Sequence, residues 1–253
     1  MAAIDLNSDL GEGFGDYRLG DDEAMLGIVS SVNVACGFHA GDPEIMANTF
    51  AAAKRKGVAV GAHPGFADLQ GFGRRLIPYS TGEIERLVAY QIGAAMAMAS
   101  LAGHRITHVK AHGALANLAA DNAEVAMAVV RAAKAVASEL VVLAIAGTEI
   151  ERAAERAGMQ LAREIFADRA YTAAGRLVPR KEPGAVIHDP AAAAARVVAM
   201  LKVGAVIAVD GTRVPVGIDS ICVHGDTAGA VAIASAVRNA VTGAGYAVRP
   251  FAP

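Results

Sequence analysis

Seven short runs rich in valine, isoleucine and other apolar residues alternate with segments that carry helix caps, and few folds accept that pattern. The runs fall near residues 3–8, 31–36, 58–62, 106–111, 141–146, 160–166 and 219–224. Runs of this kind suit strands buried on both faces, as in a parallel sheet covered by helices. The helix signals sit between them. One helix opens near Asp21; Asp42-Pro43 starts a second that stops at Gly57; Ser80 and Glu83 spell a capping box. Asp121 with Glu124 and Thr148 with Glu151 repeat the box. Asp189-Pro190 starts another helix, and a last one follows Asp226-Thr227. Strand and helix in strict alternation predict a parallel α/β fold. Seven units with polar residues at the strand ends favour a closed or nearly closed β/α barrel, as one domain over residues 1–253. Residues 167–189 read as irregular, and VIAVDGTRVPVGI, turning at Asp210-Gly211, reads as a hairpin before the last strand.

Five stretches crowd titratable residues against glycine where an apolar run ends: IDLNSDLGEGFG, VNVACGFHAGD, VAVGAHPGF, ITHVKAHGAL and ICVHGDTAGA. They hold His39, His63, His108, His112 and His224, five of the seven histidines. Polar side chains at the C-terminal ends of consecutive strands form the catalytic face of a barrel enzyme. His104 and His188 fall in connectors and read as solvated.

Alternation along a strand puts Asp5, Asn7 and Asp9 on one face of the first, and His108, Lys110 and His112 on one face of the fourth. Titratable groups on a buried face are costly unless they pair or react. Asp9, Glu12, Lys110 and His112 are therefore the candidate catalytic residues; pairing of Asp5 or Asp9 with Lys110 is the structural alternative. Asn7, His39, His63, Glu164, Arg169, His224 and Asp226 are candidate substrate contacts. Arg169, with Glu164 and Asp168, suits a carboxylate, or is one half of a structural Asp–Arg pair. Asp226 reads equally well as a helix cap. The topology predicts that Asp9, His39, His63, Lys110 and His112 converge on one rim. Histidine with aspartate at strand ends can hold zinc or manganese. No H-E-x-x-H or similar pair occurs, so no metal ligand is assigned and metal binding stays open.

Composition narrows the partners. A net charge of −2 without a basic cluster argues against nucleic acid. Alanine supplies much of the excess in a hydrophobic share of 54%, and no run approaches the ~20 residues of a membrane span. The start lacks the pattern of a secretory signal, and Cys36 and Cys222 form no spacing motif, which suggests reduced thiols in the cytoplasm. GEGFG is a weak phosphate-loop signal, and no G-x-x-x-x-G-K-[ST] occurs.

Taken together, DLNSDLGEGFG, NVACGFHAGDP, GAHPGFADLQGFGRR, HVKAHGAL, FADRAYTAAGRLVPR and ICVHGD resemble the LamB/YcsF family, whose members form the A component of 5-oxoprolinase. The resemblance runs from Asp5 to Asp226. It implies a seven-stranded variant of the β/α barrel, related to glycoside hydrolase and deacetylase barrels. It also implies one component of an ATP-dependent hydrolase that opens 5-oxo-L-proline to L-glutamate. ATP would be a co-substrate, and 5-oxoprolinase subunits B and C the partners. In that chemistry Asp9 or Glu12 would be the base, Lys110 and His112 would stabilise negative charge, and Arg169 would hold the substrate carboxylate. Alanine stands at 67, 111, 116 and 174 where the family pattern has proline, proline, tyrosine and an acid; the change at Ala116 would widen the pocket. The alternative readings are a stand-alone metal-dependent deacetylase-like hydrolase and a non-catalytic lactam-binding subunit.

Overall fold

The computed structural model describes residues 2–252. Seven parallel strands form the barrel: β1 (Ala2–Leu10), β2 (Ser31–Ala35), β3 (Ala59–His63), β4 (Ile106–Val109), β5 (Val141–Ile145), β6 (Leu161–Phe166) and β9 (Ser220–Val223). Each pairs with the next, and β9 returns to β1, setting Asp5 opposite Ser220 and Asn7 opposite Cys222. Eight helices fill the connections: α1 (Asp22–Met25), α2 (Pro43–Lys56), α3 (Thr81–Leu101), α4 (Gly113–Asp121), α5 (Ala123–Val136), α6 (Glu149–Ala157), α7 (Pro190–Val203) and α8 (Ala230–Gly243). The expected closed seven-stranded barrel is the fold observed. The expected hairpin is β7 (Ala205–Ile207) against β8 (Arg213–Pro215).

Local chemistry explains most helix starts. The Asp42 side chain accepts from Ile45 N, Pro43 stands at the first turn, and Gly57 ends α2 at φ 67°. Ser80 and Glu83 close their capping box on α3. Three expectations need correction. Asp121 ends α4, and it is Asn122 that caps α5, accepting from Glu124 N and Val125 N. Thr148 precedes α6 without capping it, because its hydroxyl donates to the Ile145 carbonyl at 2.7 Å. α8 opens behind Gly229, so Asp226 caps nothing.

Two features lay beyond the apolar-run pattern. β10 (Tyr246–Val248) adds a parallel strand to the N-terminal half of β1, and the C-terminal segment crosses beneath the barrel. There Phe251 packs with Val141, Leu143 and Ala162 and stands edge-on to His108, 5.0 Å between ring centroids. An apolar cluster thus packs at the bottom of the barrel, beneath a polar middle layer.

Above that cluster, the Asp5 carboxylate accepts from Ser30 at 2.7 Å, Ser31 at 2.9 Å and Ser220. One layer higher, Asn33 bonds Asn7 at 2.8 Å and meets His108 Nε2 at 2.9 Å. Burial pushes His108 down to about 3, so it is a neutral structural imidazole. Its ring occupies the space a Cβ on Gly61 of β3 would need. Asp5 and His108 therefore belong to an internal network that spaces the strands.

Burial raises the Asp5 carboxyl from 3.8 to about 6, against the lowering effect of the three hydroxyls. The native state then keeps a proton that the unfolded chain has lost, so this contribution is complete below pH ~4 and disappears as pH rises through about 6. Asp5→Asn removes it. Urea denaturation of both proteins should show the native chain losing about 3 kcal/mol relative to the variant between pH 4 and 7; parallel curves would refute the assignment.

Candidate active site

Lys110 sits just past β4, where Lys110 N still bonds the Ala62 carbonyl at 3.0 Å. Its ammonium is buried and satisfied on three sides: Asp9 Oδ1 at 2.9 Å, Cys222 Sγ at 3.1 Å and Glu164 Oε2 at 3.2 Å. Burial alone would strip its proton, but Asp9, Cys222 and Glu164 reverse that and hold the amine well above its usual range. The two carboxylates respond differently. Burial would raise Asp9, yet His63 and Lys110 outweigh it and keep the group ionised, well below the carboxylate range. Burial lifts Glu164 to about 7, with Lys110 only partly offsetting and Asp9 adding to the rise.

A cavity of about 500 Å³ opens over this centre. Asp9, His63, Lys110, His112, Glu164, Arg169 and His224 line it, so the barrel rim brings together residues from β1, β3, β4, β6 and β9 or just beyond their ends. Four candidates lie elsewhere. Asn7 is a layer deeper, donating to Ser220 at 2.8 Å and to Glu164 at 3.4 Å. Asp226 pairs with Arg74 at 2.9 Å. Glu12 and His39 are buried behind His112, outside the cavity lining, which corrects the expected place of His39 on the rim. His39 stands in a loop beyond β2, where Gly37 N bonds Ala40 O, and that loop carries it behind His112 rather than onto the lining.

The histidines form a packed group. His39 stacks on His112 with centroids 3.7 Å apart, and His63 meets both edge-on. Phe72 closes the group edge-on at φ 54°, a left-handed conformation that costs about 1–3 kcal/mol for a bulky residue. That backbone turn aims the Phe72 carbonyl at His112 Nε2, 2.8 Å away. Gly73 follows at φ 60°, and a Cβ there would stand 2.7 Å from His39 Cβ. Burial, then the neighbouring imidazoles, hold His39 and His112 well below the usual range, so both are neutral.

The rim revises the expected Asp168–Arg169 pair. Asp168 bonds His224 Nδ1 at 2.9 Å and Thr227 at 3.0 Å, while Arg169 bonds the Val178 and Ala185 carbonyls. Asp168 thereby orients His224, which is backed by Phe166 stacked at 5.2 Å. Only tertiary pairing reveals this dyad. Arg74, Arg176, Arg180 and Lys181 join Arg169 around the mouth, which makes it strongly cationic. Nothing local in the sequence sets Arg74 and Arg176 apart from surface arginines. Ala111 and Ala116 line the cavity; Ala67 and Ala174 are exposed. Ala111 faces inward because β4 ends at Val109 and strict alternation with it. His104 is held rather than solvated: Arg105 N donates to its Nδ1 at 2.9 Å, and its Nε2 bonds the Val58 carbonyl. His188 is exposed.

Lys110→Met would leave the Asp9 carboxylate buried without its cation. Removing one partner of a buried pair typically costs about 3–5 kcal/mol, and denaturant unfolding of the variant should show a loss on that scale. A loss under ~1 kcal/mol would mean that Asp9 is not held by Lys110.

The geometry agrees with what the chain is similar to. The LamB/YcsF family model matches residues 4–253. The chain is 61% identical over 253 residues to an Azorhizobium caulinodans protein named as the A subunit of 5-oxoprolinase, covering 100% of both chains. It is 57% identical over 253 residues to the protein of the same name in Rhodopseudomonas palustris strain BisB18, covering 100% of this chain and 99% of the other. Among solved structures, the lactam utilization protein of Thermus thermophilus superposes with a TM-score of 0.92 at 44% identity, over 98% of this chain and 100% of that one. Among the described residues no helix is long and apolar enough to cross a membrane. The chain belongs to the LamB/YcsF family.

Proposed function

We propose that this chain is the A component of an ATP-dependent 5-oxoprolinase, which opens the lactam of 5-oxo-L-proline to L-glutamate in the cytoplasm together with subunits B and C. The observation that carries the reading is the pairing of Glu164, raised to about 7, with the Lys110 ammonium at 3.2 Å on the floor of a cavity rimmed by arginines. The names of the close relatives support the substrate.

A lactam is a resonance-stabilised amide, so water needs a base on one side and charge stabilisation on the other. Glu164 suits the base. A carboxylate titrating near neutrality is available to take a proton, whereas Asp9, locked in its ionised form, is a weak base. The proton-transfer role expected of Asp9 or Glu12 therefore moves to Glu164, and Asp9 keeps Lys110 charged and in place. Lys110 faces the carbonyl oxygen where negative charge grows. Water adds its oxygen to the lactam carbon, the carbon–nitrogen bond breaks, and His224, oriented by Asp168, supplies the proton to the departing nitrogen. Arg169, its guanidinium pushed down to about 10 by burial and Arg180 but still charged, binds the substrate carboxylate. ATP drives the step by giving its γ-phosphoryl group to the lactam oxygen and leaving as ADP; ring opening then yields an acyl phosphate, which a second water cleaves to glutamate and inorganic phosphate. With no G-x-x-x-x-G-K-[ST] in this chain, the nucleotide site in this reading belongs to a partner.

The purified chain alone should release little or no glutamate from 5-oxoproline and ATP, and the three components together should release it. Robust ATP-dependent turnover by the chain alone would overturn the division of labour.

Glu164→Gln should lower turnover of the reconstituted complex about 100-fold or more. In the unaltered complex, kcat/KM should fall as pH drops through about 7, because the base must be ionised; the variant should lack that limb. Unchanged turnover and pH profile would return Glu164 to a structural role beside Lys110.

A further inference from the structure

Behind the cavity wall, donor atoms of four side chains cluster together. One ligand atom each from Glu12, His39, His63 and His112 lies within 4.8 Å of the others. All four residues are buried, with His39 1% and Glu12 6% exposed. Glu12 Oε1 and both ring nitrogens of His39 have no hydrogen-bond partner among the described residues. A buried polar atom left unsatisfied is costly, and Glu12 Oε1 with His39 Nε2, 3.7 Å apart beside the other two histidines, point to an occupant.

The tautomers sharpen the case. His63 Nδ1 lies 2.8 Å from the Lys110 carbonyl oxygen, and His112 Nε2 lies 2.8 Å from that of Phe72. A carbonyl only accepts, so each of those nitrogens carries a proton, and in a neutral ring the other nitrogen carries a lone pair. Those remaining nitrogens, His63 Nε2 and His112 Nδ1, face each other at 3.0 Å. Two lone pairs at that distance repel unless positive charge lies between them. A shared proton would relieve that contact alone and leave Glu12 Oε1 and His39 without partners.

A metal ion serves all four. Glu12 Oε1 is 3.5 Å from His112 Nδ1 and 3.7 Å from His39 Nε2. With the 3.0 Å histidine pair, these separations bracket the edge of about 3.3 Å expected for a tetrahedron with arms of about 2.0–2.1 Å. We propose that Glu12, His39, His63 and His112 form a binding site for a divalent first-row cation of the zinc type, with three imidazole nitrogens and one carboxylate oxygen as donors. Nitrogen donors in the majority suit zinc rather than magnesium or calcium, which favour oxygen. The Lys110 and Phe72 carbonyls hold the outer N–H groups of two ligand rings, as outer-shell partners of metal-bound histidines do. His39 now lies flat on His112, within 3° of parallel, so its ring turns out of the stack to reach the ion.

The test reads metal directly and does not depend on lactam hydrolysis. The purified chain is stripped with a chelator, dialysed, and titrated with Zn²⁺ by calorimetry and with Co²⁺ by visible absorption. The expected result is one tight equivalent per chain, with the intense visible bands of tetrahedral Co²⁺. Glu12→Gln and His39→Gln, each checked for folding by circular dichroism, should weaken binding about 100-fold or more, whereas His188→Ala, at an exposed histidine, should not. No binding by the unaltered chain, or equal binding by it and whichever of the two ligand variants folds, overturns the proposal.

Discussion

The ammonium of Lys110 is the constraint around which the upper barrel is organised. A charge placed among parallel strands must be compensated there, since burial strips most of its hydration and would otherwise neutralise it. Asp9 arrives from β1, Glu164 from β6 and Cys222 from β9, all within 3.2 Å of one nitrogen. Their positions depend on register. With Asn7 opposite both Ser31 and Cys222, and Glu164 opposite Ser220, a slip of one residue would turn the acids outward and leave the lysine unpaired. Closure of the barrel and the charge centre are thus one problem with one solution.

That centre divides two acids of similar chemistry into different states. Asp9 touches Lys110 and stands near His63, and stays ionised; Glu164 shares Lys110, feels the Asp9 charge and rises towards neutrality. Glu12, buried near Asp9 and Asp226, is pushed well above the usual range, first by burial and then by those charges. A carboxylate whose environment drives it from its ordinary state is where proton transfer or ligand binding is to be sought. The hydroxyl and amide layers around Asp5, Asn7 and Asn33 support this arrangement from below, and Phe251 packs beneath them against His108.

Backbone geometry at the rim carries the rest. Phe72 at positive φ and Gly73 beside it bring a carbonyl and an open space to the histidine group. Neither substitution of the glycine nor relaxation of the phenylalanine would preserve the His39–His112 stack. The cationic mouth is assembled from residues 169–181, a stretch without regular helix or strand, together with Arg74. A rigid barrel presents the charge centre, and irregular segments place arginines and a lysine around its mouth.

The sequence by itself determined the seven strand runs, the caps at Asp42 and Ser80, and the gathering of Asp9, His63, Lys110, His112, Glu164, Arg169 and His224 at strand ends. Those features are local: apolar periodicity and capping act within a few residues, and parallel units send every strand's C-terminal end to the same rim. It could not separate Asn122 from Asp121 as the cap of α5, since both side chains are competent and only the end of α4 decides. Nor could it reveal β10, whose three half-buried residues matter only through pairing with β1. The partnership of Asp168 with His224, the depth of Glu12 and His39, and the ionisation of each acid were decided by tertiary structure alone. These depend on distances across the barrel and on exclusion of water, which appear only when strands far apart in the chain close on one another.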